Sequence, residues 1–266
     1  MSLVRAAVRI SAILALRGAT MVGDNVLDSQ IFALQSNASG GLRLPEDDPF
    51  IAVYTDDATT KDISAPLRAM VVNGVTSILF EAGIAATMTE VDPDTDESRI
   101  VGIGLPPTDG PMEFFLDMVM RQIGDTIVDP QNVWAQIYMG FISRVIQVDR
   151  ARAGSDQDGV RVAGQQLRVL AELLPDPVKG EELRPTSSMS RFLALKDTVT
   201  QPDFRAQMEM IEAQLSGSDL PWHIIQRRYG LTGAEAEALQ VVSADPDGGD
   251  ISVVSVEASP AEQVQP

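Results

Sequence analysis

The first third of the chain switches abruptly between two hydrophobic periods. From Leu3 to Leu16, Leu3, Ala7, Ile10 and Leu14 share one helical face while Arg5 and Arg9 lie opposite. Three short strand-like blocks follow: GDNVLDSQIFAL at 23–34, FIAVYTDDAT at 50–59 and TSILFEAGIAATM at 76–88. A second helical region then spans 110–152. No nucleophile–base pair, metal cluster or phosphate loop falls within this pattern. The layout predicts a small α/β scaffold that works by being assembled rather than by doing chemistry.

The 266 residues can bury one good core or two modest ones. Apolar residues make up 44% but aromatic ones only 5%, so the core is expected to be aliphatic and methionine-rich. The chain has no cysteine, which removes disulfides, thiolate zinc, iron–sulfur clusters and cysteine nucleophiles together. A formal charge of −18 argues against a protein that wraps nucleic acid, because phosphate binding needs a basic face. It fits plain solubility or salt adaptation, and also a surface that repels DNA so that DNA slides past. No segment reaches the roughly 20 apolar residues that span a bilayer. The uncharged stretch Ile10 to Leu16 is closed by Arg9 and Arg17, so the N-terminus reads as a structural helix rather than a signal peptide.

Further along, Val26, Ile31 and Phe32 suggest a strand, 35–49 a loop, and Phe50–Tyr54 a strand ended by Thr55-Asp56-Asp57. Ser77–Ile84 reads as a strand covered on both faces, 90–98 as an acidic excursion, and Ile100–Leu105 as a further strand. Phe114, Phe115, Met118, Val119, Ile123 and Ile127 stripe one helix. A second is predicted to start beside Asp129-Pro130 and to carry Val133, Trp134, Ile137, Tyr138, Phe141, Ile142, Val145 and Ile146 at helical spacing. Residues 160–174 fit both periods, and strand is preferred. Beyond Gly180 short helices are expected at 189–199, 203–216, 220–229 and 232–242, with a Thr232/Glu235 capping box and C-cap glycines at Gly217 and Gly230. Ile251–Val256 adds a possible last strand before a tail, and no internal repeat is visible.

The candidate constellations each have a plainer reading. Asp92, Asp94 and Asp96 have calcium-loop spacing, but Glu97 and Ile103 stand where glycine and glutamate are needed, which leaves a solvated acidic hairpin. Asp245-Pro-Asp247-Gly-Gly-Asp250 is a similar unrepeated loop. Asp56 and Asp57 are adjacent in a strand and point to opposite faces. His223 is the only histidine, so any triad would rest on it alone. Gly102-Ile-Gly104 lacks a third glycine and a following helix. The segment 224–242 has helix-turn-helix spacing, but its second half offers Glu235, Glu237 and Gln240 and no cation, so a plain α-hairpin is preferred over a DNA reader with Arg227 and Arg228 on phosphate. No catalytic, cofactor-binding or metal-ligating residue is assigned, and the chain is not expected to be an enzyme.

The ordered series GDNVLDSQIFAL, DPFIAVYTDD, ILFEAGIAA, DPQNVWAQIYMGFISRV and GVRVAGQQLRVLAELLPDP resembles the tail terminator (minor tail, tail-completion) proteins of long-tailed bacteriophages over about residues 1–180. WHIIQRRYGLTGAEAEAL is similar to C-terminal extensions in some members. The resemblance implies an α/β (α+β) fold in which helices flank a mixed sheet, with residues 1–180 as the terminator-like domain, 181–243 as a helical extension and 244–266 as an acidic tail. It also implies a structural virion protein of the neck, present in the host cytoplasm during assembly. Such a protein forms a ring, typically a hexamer, that caps the tail tube and joins it to the head connector or head-closure protein. Genomic DNA would pass through its channel without sequence-specific binding, and no membrane is involved. Glu90, Asp92, Asp94, Asp96 and Glu97 are expected in a loop that faces the channel or a neighbouring protein. The alternative in the same class is another neck protein, a head-closure or connector subunit.

Overall fold

A computed structural model describes residues 2–29, 35–36, 42–43, 49–60, 68, 70–84, 86–91, 98–104, 110–153, 164–217 and 220–241, with backbone alone at 35–36, 42–43, 86–91, 98–104 and 153. The elements in order are α1 (Leu3–Leu16), β1 (Val26–Asp28), β2 (Gln35–Ser36), β3 (Leu42–Arg43), β4 (Pro49–Thr59), β5 (Val75–Ile84), β6 (Ala86–Val91), β7 (Ser98–Gly104), α2 (Gly110–Thr126) and α3 (Val133–Gly140). They continue with β8 (Ile142–Ala153), β9 (Gly164–Leu173), α4 (Ser188–Ala194), a 3-10 turn (Lys196–Thr198), α5 (Pro202–Leu215), α6 (Pro221–Tyr229) and α7 (Gly233–Ala238).

The main sheet has the order β1-β4-β5-β9-β8, with β1 parallel to β4 and every other pair antiparallel. It is the mixed sheet of an α/β fold. Period-two alternation sends Ile51 and Val53 of β4, Ile78, Phe80 and Ala82 of β5, and Leu167, Val169, Ala171 and Leu173 of β9 into one core. The register stacks them across the strands, Val53 beside Phe80 and Phe80 beside Leu167. Helices α1 and α2 bring Val8, Ile13, Leu116, Val119 and Ile123 to the same core. Strand β5 is buried on both faces as expected, but the core contains only one of its alternating sets, so the helices line a single side.

Helix α1 is buried more widely than one stripe. Val4, Ala7, Val8, Ile10, Ser11, Ala12, Ile13, Ala15 and Leu16 are all covered, whereas Leu3 and Leu14, expected on the same apolar face as Ala7 and Ile10, are half-buried. The helix touches β1 and β4 on one side and α3, α4 and α5 on the other, which small residues at 7, 11, 12 and 15 permit. The core is also continuous across residue 180. Met189 and Phe192 of α4, Val199, and Phe204, Met208, Ile211 and Leu215 of α5 join it, with Phe192 edge-on to both Trp134 and Phe141.

Several local expectations are corrected. The helix predicted through Ile146 stops at Gly140, and 142–153 is strand β8. Its cap is Asn132, not Asp129: the Asn132 side chain accepts from Trp134 N and Ala135 N at 3.0 and 3.2 Å and donates to Ala15 O at 2.9 Å. Ile142, Val145 and Ile146 have helical spacing, but pairing with β9 makes the segment a strand, in which two bulges interrupt the period-two alternation. Strand β4 runs on through Thr55-Asp56-Asp57 to Thr59, because β5 continues beside it. The 35–49 loop contains the short β2–β3 pair, and the 76–88 block divides into β5 and β6. Helix α5 is capped by Ser216 in an extended conformation rather than by Gly217, and α7 ends at Ala238. The possible strand at Ile251–Val256 lies outside the described residues, as do Ile31 and Phe32.

Candidate assembly surfaces

Strand β8 forms one edge of the sheet, paired with β9 on one side and with nothing described on the other. It is 12 residues long and exposed along most of its length. Val145 and Ile146 are each 48% exposed and Val148 42%. Register breaks between Ile142 and Arg144 and between Val145 and Gln147 insert two extra residues, Ser143 and Ile146, which bend the strand and turn apolar side chains to the rim. In a chain of formal charge −18 this strand carries three arginines against one acid. Arg144 meets Glu172 at 2.6 Å and Arg152 meets Glu113 at 2.8 Å, while Asp149 is held by the Gln147 side-chain amide at 2.8 Å. Arg150 is exposed and has no ion-pair partner among the described residues.

The side of the sheet away from the helices is a polar ladder. Glu81 of β5 accepts from the Tyr54 hydroxyl of β4 and, at 2.7 Å, from Gln166 Nε2 of β9. Arg168 Nε donates to Ser77 Oγ at 2.9 Å. These polar side chains are each tied to a neighbour across a strand. At the opposite edge β1 pairs only with Ile51 to Val53, and from Tyr54 onward no described strand pairs with that flank of β4. There the Arg5 guanidinium of α1 donates to Thr55 O at 3.1 Å and to Asp56 O, and Asp56 to Thr60 are exposed.

A cleft of about 560 Å³ opens where the end of β9 meets α1 and α4, lined by Val4, Phe141, Leu174, Pro175, Met189 and Arg184 among others. Its most connected group is Asp176, whose carboxylate accepts from Ser2 Oγ at 2.6 Å, Leu3 N at 3.0 Å, Val4 N at 2.9 Å and Asn73 Nδ2 at 3.0 Å. The carboxylate thus caps α1 from a position 174 residues beyond Ser2 and complements its dipole. All of its contacts are structural. The sequence flagged Pro175-Asp176-Pro177 only as a boundary, and nothing local in it marks Asp176 as a cap.

The residues weighed for chemistry stay apart. Asp56 and Asp57 lie in β4 at the edge of the sheet, and no described histidine or second acid converges on them. His223 lies against its neighbour Trp222 in α6, ring centres 3.7 Å apart and planes tilted by 56°. Gly102 and Gly104 belong to β7. The α6–α7 pair has Gly230 in the left-handed region at its turn, but Arg227 donates to Lys179 O at 3.2 Å and Arg228 pairs with Glu181, so both cations are turned to the body of the protein. Asp92, Asp94, Asp96 and Glu97, like Asp245, Asp247 and Asp250, lie outside the described residues, and Glu90 is described by its backbone in β6 alone. No group of three or more metal-capable side chains occurs among the described residues. No described helix is long and apolar enough to cross a membrane. Burial pushes the Tyr138 hydroxyl far above its ordinary range, in a core position edge-on to Phe80, away from solvent.

Compared with protein-family models and with curated proteins, the sequence matches none.

Proposed function

We propose that this protein is a structural component of a phage particle: a ring-forming tail terminator that caps the tail tube, joins it to the head connector and leaves a channel for DNA. The observation that carries this reading is the β8 edge, unpaired among the described residues, long, apolar at its rim and set in a sheet packed by α1 and α2 on one side. A monomer with such an edge is prone to uncontrolled pairing, and a closed ring of identical subunits gives the edge a defined partner. The strongly acidic balance supports the same reading, since a lumen of that sign lets DNA pass with little adhesion.

The test is to locate the chain in assembled particles. A cryo-EM map of the particle is expected to place a ring of this protein between the tail tube and the head. Particles assembled without it are expected to give tails of uncontrolled length that fail to join heads. A map in which the junction is complete and this polypeptide is absent overturns the proposal. A position wholly on the head side of the junction favours a head-closure or connector subunit.

A further inference from the structure

Resting on the reading of the protein as a ring, we infer that its copies are joined by strand exchange: residues 251–256 of one copy add a sixth strand to the main sheet of the next, along the edge of β8. The occupant of that edge is therefore a named segment of this chain, supplied by a neighbouring copy.

The argument starts from what β8 lacks. No described strand continues the sheet beyond it, so a strand of 12 residues presents backbone N–H and C=O groups that only an extended segment can pair in series. The core-facing row of β8 is also uncovered. The register sets Val145 opposite Ala171 and Val148 opposite Val169, both core residues of β9. Val145 and Val148 are nevertheless 48% and 42% exposed, because α2 packs chiefly over β9 and β5. The sign of the edge is fixed as well. Arg144 and Arg152 are answered by Glu172 and Glu113, which leaves Arg150 without an ion-pair partner among the described residues. The missing neighbour must be extended, apolar at its centre and acidic at its flanks.

Residues 242–266 lie outside the described residues, and their sequence meets that requirement. The run Ile251-Ser-Val-Val-Ser-Val256 is uncharged, and its four apolar residues are all β-branched. Either alternating set brings two of them to one face, Ile251 with Val253 or Val254 with Val256. Asp250 and Glu257 flank the run, and 242–266 contains no lysine or arginine. The length suffices. Helices α6 and α7 stand at the end of the sheet where β8 begins: Arg228 lines the cleft beside Phe141, and Glu235 meets Arg68 between β4 and β5. From Val241 the nine residues 242–250 reach about 30 Å when extended. That is about six strand spacings of roughly 4.8 Å, more than the width from the β4–β5 connection to the β8 edge. Donor and acceptor are different surfaces, and each copy has one of each. Such a contact is heterologous, and it closes into a ring once every β8 has received the segment of its neighbour.

The test compares the unmodified chain, a chain ended after Val241, and Ser252→Pro/Ser255→Pro in the full chain. The prolines remove two backbone donors from the segment and keep its apolar and acidic side chains. Mass is read by sedimentation, and amide exchange over 142–153 reports on the β8 edge. The unmodified chain is expected to form a closed oligomer at about 100 μM. Both altered chains are expected to sediment as monomers that still melt cooperatively, with β8 amides exchanging at least about tenfold faster. A synthetic peptide of residues 249–258 added to the chain ended after Val241 is expected to slow those amides again, and the same peptide with the two prolines is not. An unmodified chain that stays monomeric, a shortened or proline-bearing chain that keeps its oligomer, β8 exchange indifferent to the segment, or a peptide without effect each overturns the inference. These results concern how copies are joined. The place of the ring between tail tube and head is read separately in the particle map, so the two failures are distinct.

Discussion

Asp176 is the residue on which the ends of the fold depend. Four donors converge on its carboxylate, two of them backbone N–H groups in the first turn of α1, from a position 174 residues distant from Ser2. A short-range motif could not announce this. The sequence shows a proline-flanked acid, the common sign of a turn, and the helix it caps lies at the other end of the chain. Asn73 was equally silent, and it ties the same carboxylate to Leu174 O at 2.7 Å through its Nδ2. Asp176→Ala leaves three part-buried donors without their acceptor and removes the anion at the helix N-terminus. That change is expected to cost about 2–3 kcal/mol, seen as a fall in melting temperature of roughly 5–10 °C. Asp176→Asn keeps one acceptor oxygen and is expected to lose about half as much. Equal melting of all three proteins would show that the carboxylate does not hold α1 in place.

At the scale of elements, what could be read in the sequence was whatever carries its own local signal. The capping box at Thr232 and Glu235 is such a case: the Glu235 carboxylate accepts from Thr232 N and from Thr232 Oγ1, each at 2.8 Å, and Glu235 N donates back to Thr232 Oγ1 at 3.3 Å. The α3–β8 junction is the opposite case. Its apolar residues keep helical spacing past the end of the helix because two bulges break the strand's alternation, and the deciding facts, the β9 partner strand and Ser188 Oγ donating to Gly140 O at 2.6 Å, lie outside the segment. The capping box also yields a pH dependence. Hydrogen bonds from Thr232, then the Arg68 guanidinium, lower the Glu235 carboxyl from 4.5 to about 2. A carboxyl lowered in the folded state contributes stability that is present above its unfolded value and lost as pH falls from there toward the folded one. Amide exchange in α7 is therefore expected to quicken as pH drops from about 4.5 to about 2, relative to the intrinsic exchange rate. In Glu235→Gln that extra acid sensitivity should be gone. A Gln variant that retains the full acid response would assign it to another group.

The whole molecule divides differently from its sequence. The resemblance suggested a boundary near 180, with short helices beyond it as an appendage, because small helices after a glycine look separable when their partners are not visible. Two of those helices complete the core: α5 alone contributes Phe204, Met208, Ile211 and Leu215, all nearly inaccessible. The next two are attached from outside. Helix α6 has no buried residue, α7 buries only Ala236, and the pair is held by Arg228 on Glu181, Arg227 on Lys179 O and Glu235 on Arg68. Exposed ion pairs of this kind contribute at most about 1 kcal/mol each. A chain ended after Gly217 is therefore expected to unfold cooperatively within about 5–8 °C of the full-length protein. A chain ended after Gln201 also loses the four α5 side chains, each worth about 2–5 kcal/mol in a packed core. Their sum, about 8–20 kcal/mol, is as large as the usual stability of a whole domain, about 5–15 kcal/mol, so this shorter chain is expected to lose its cooperative transition altogether. Differential scanning calorimetry of the two truncations separates these outcomes. Loss of the transition already at 217 would mean that α6 and α7 hold the fold together rather than decorate it, and the folded unit would then have to be drawn through residue 241.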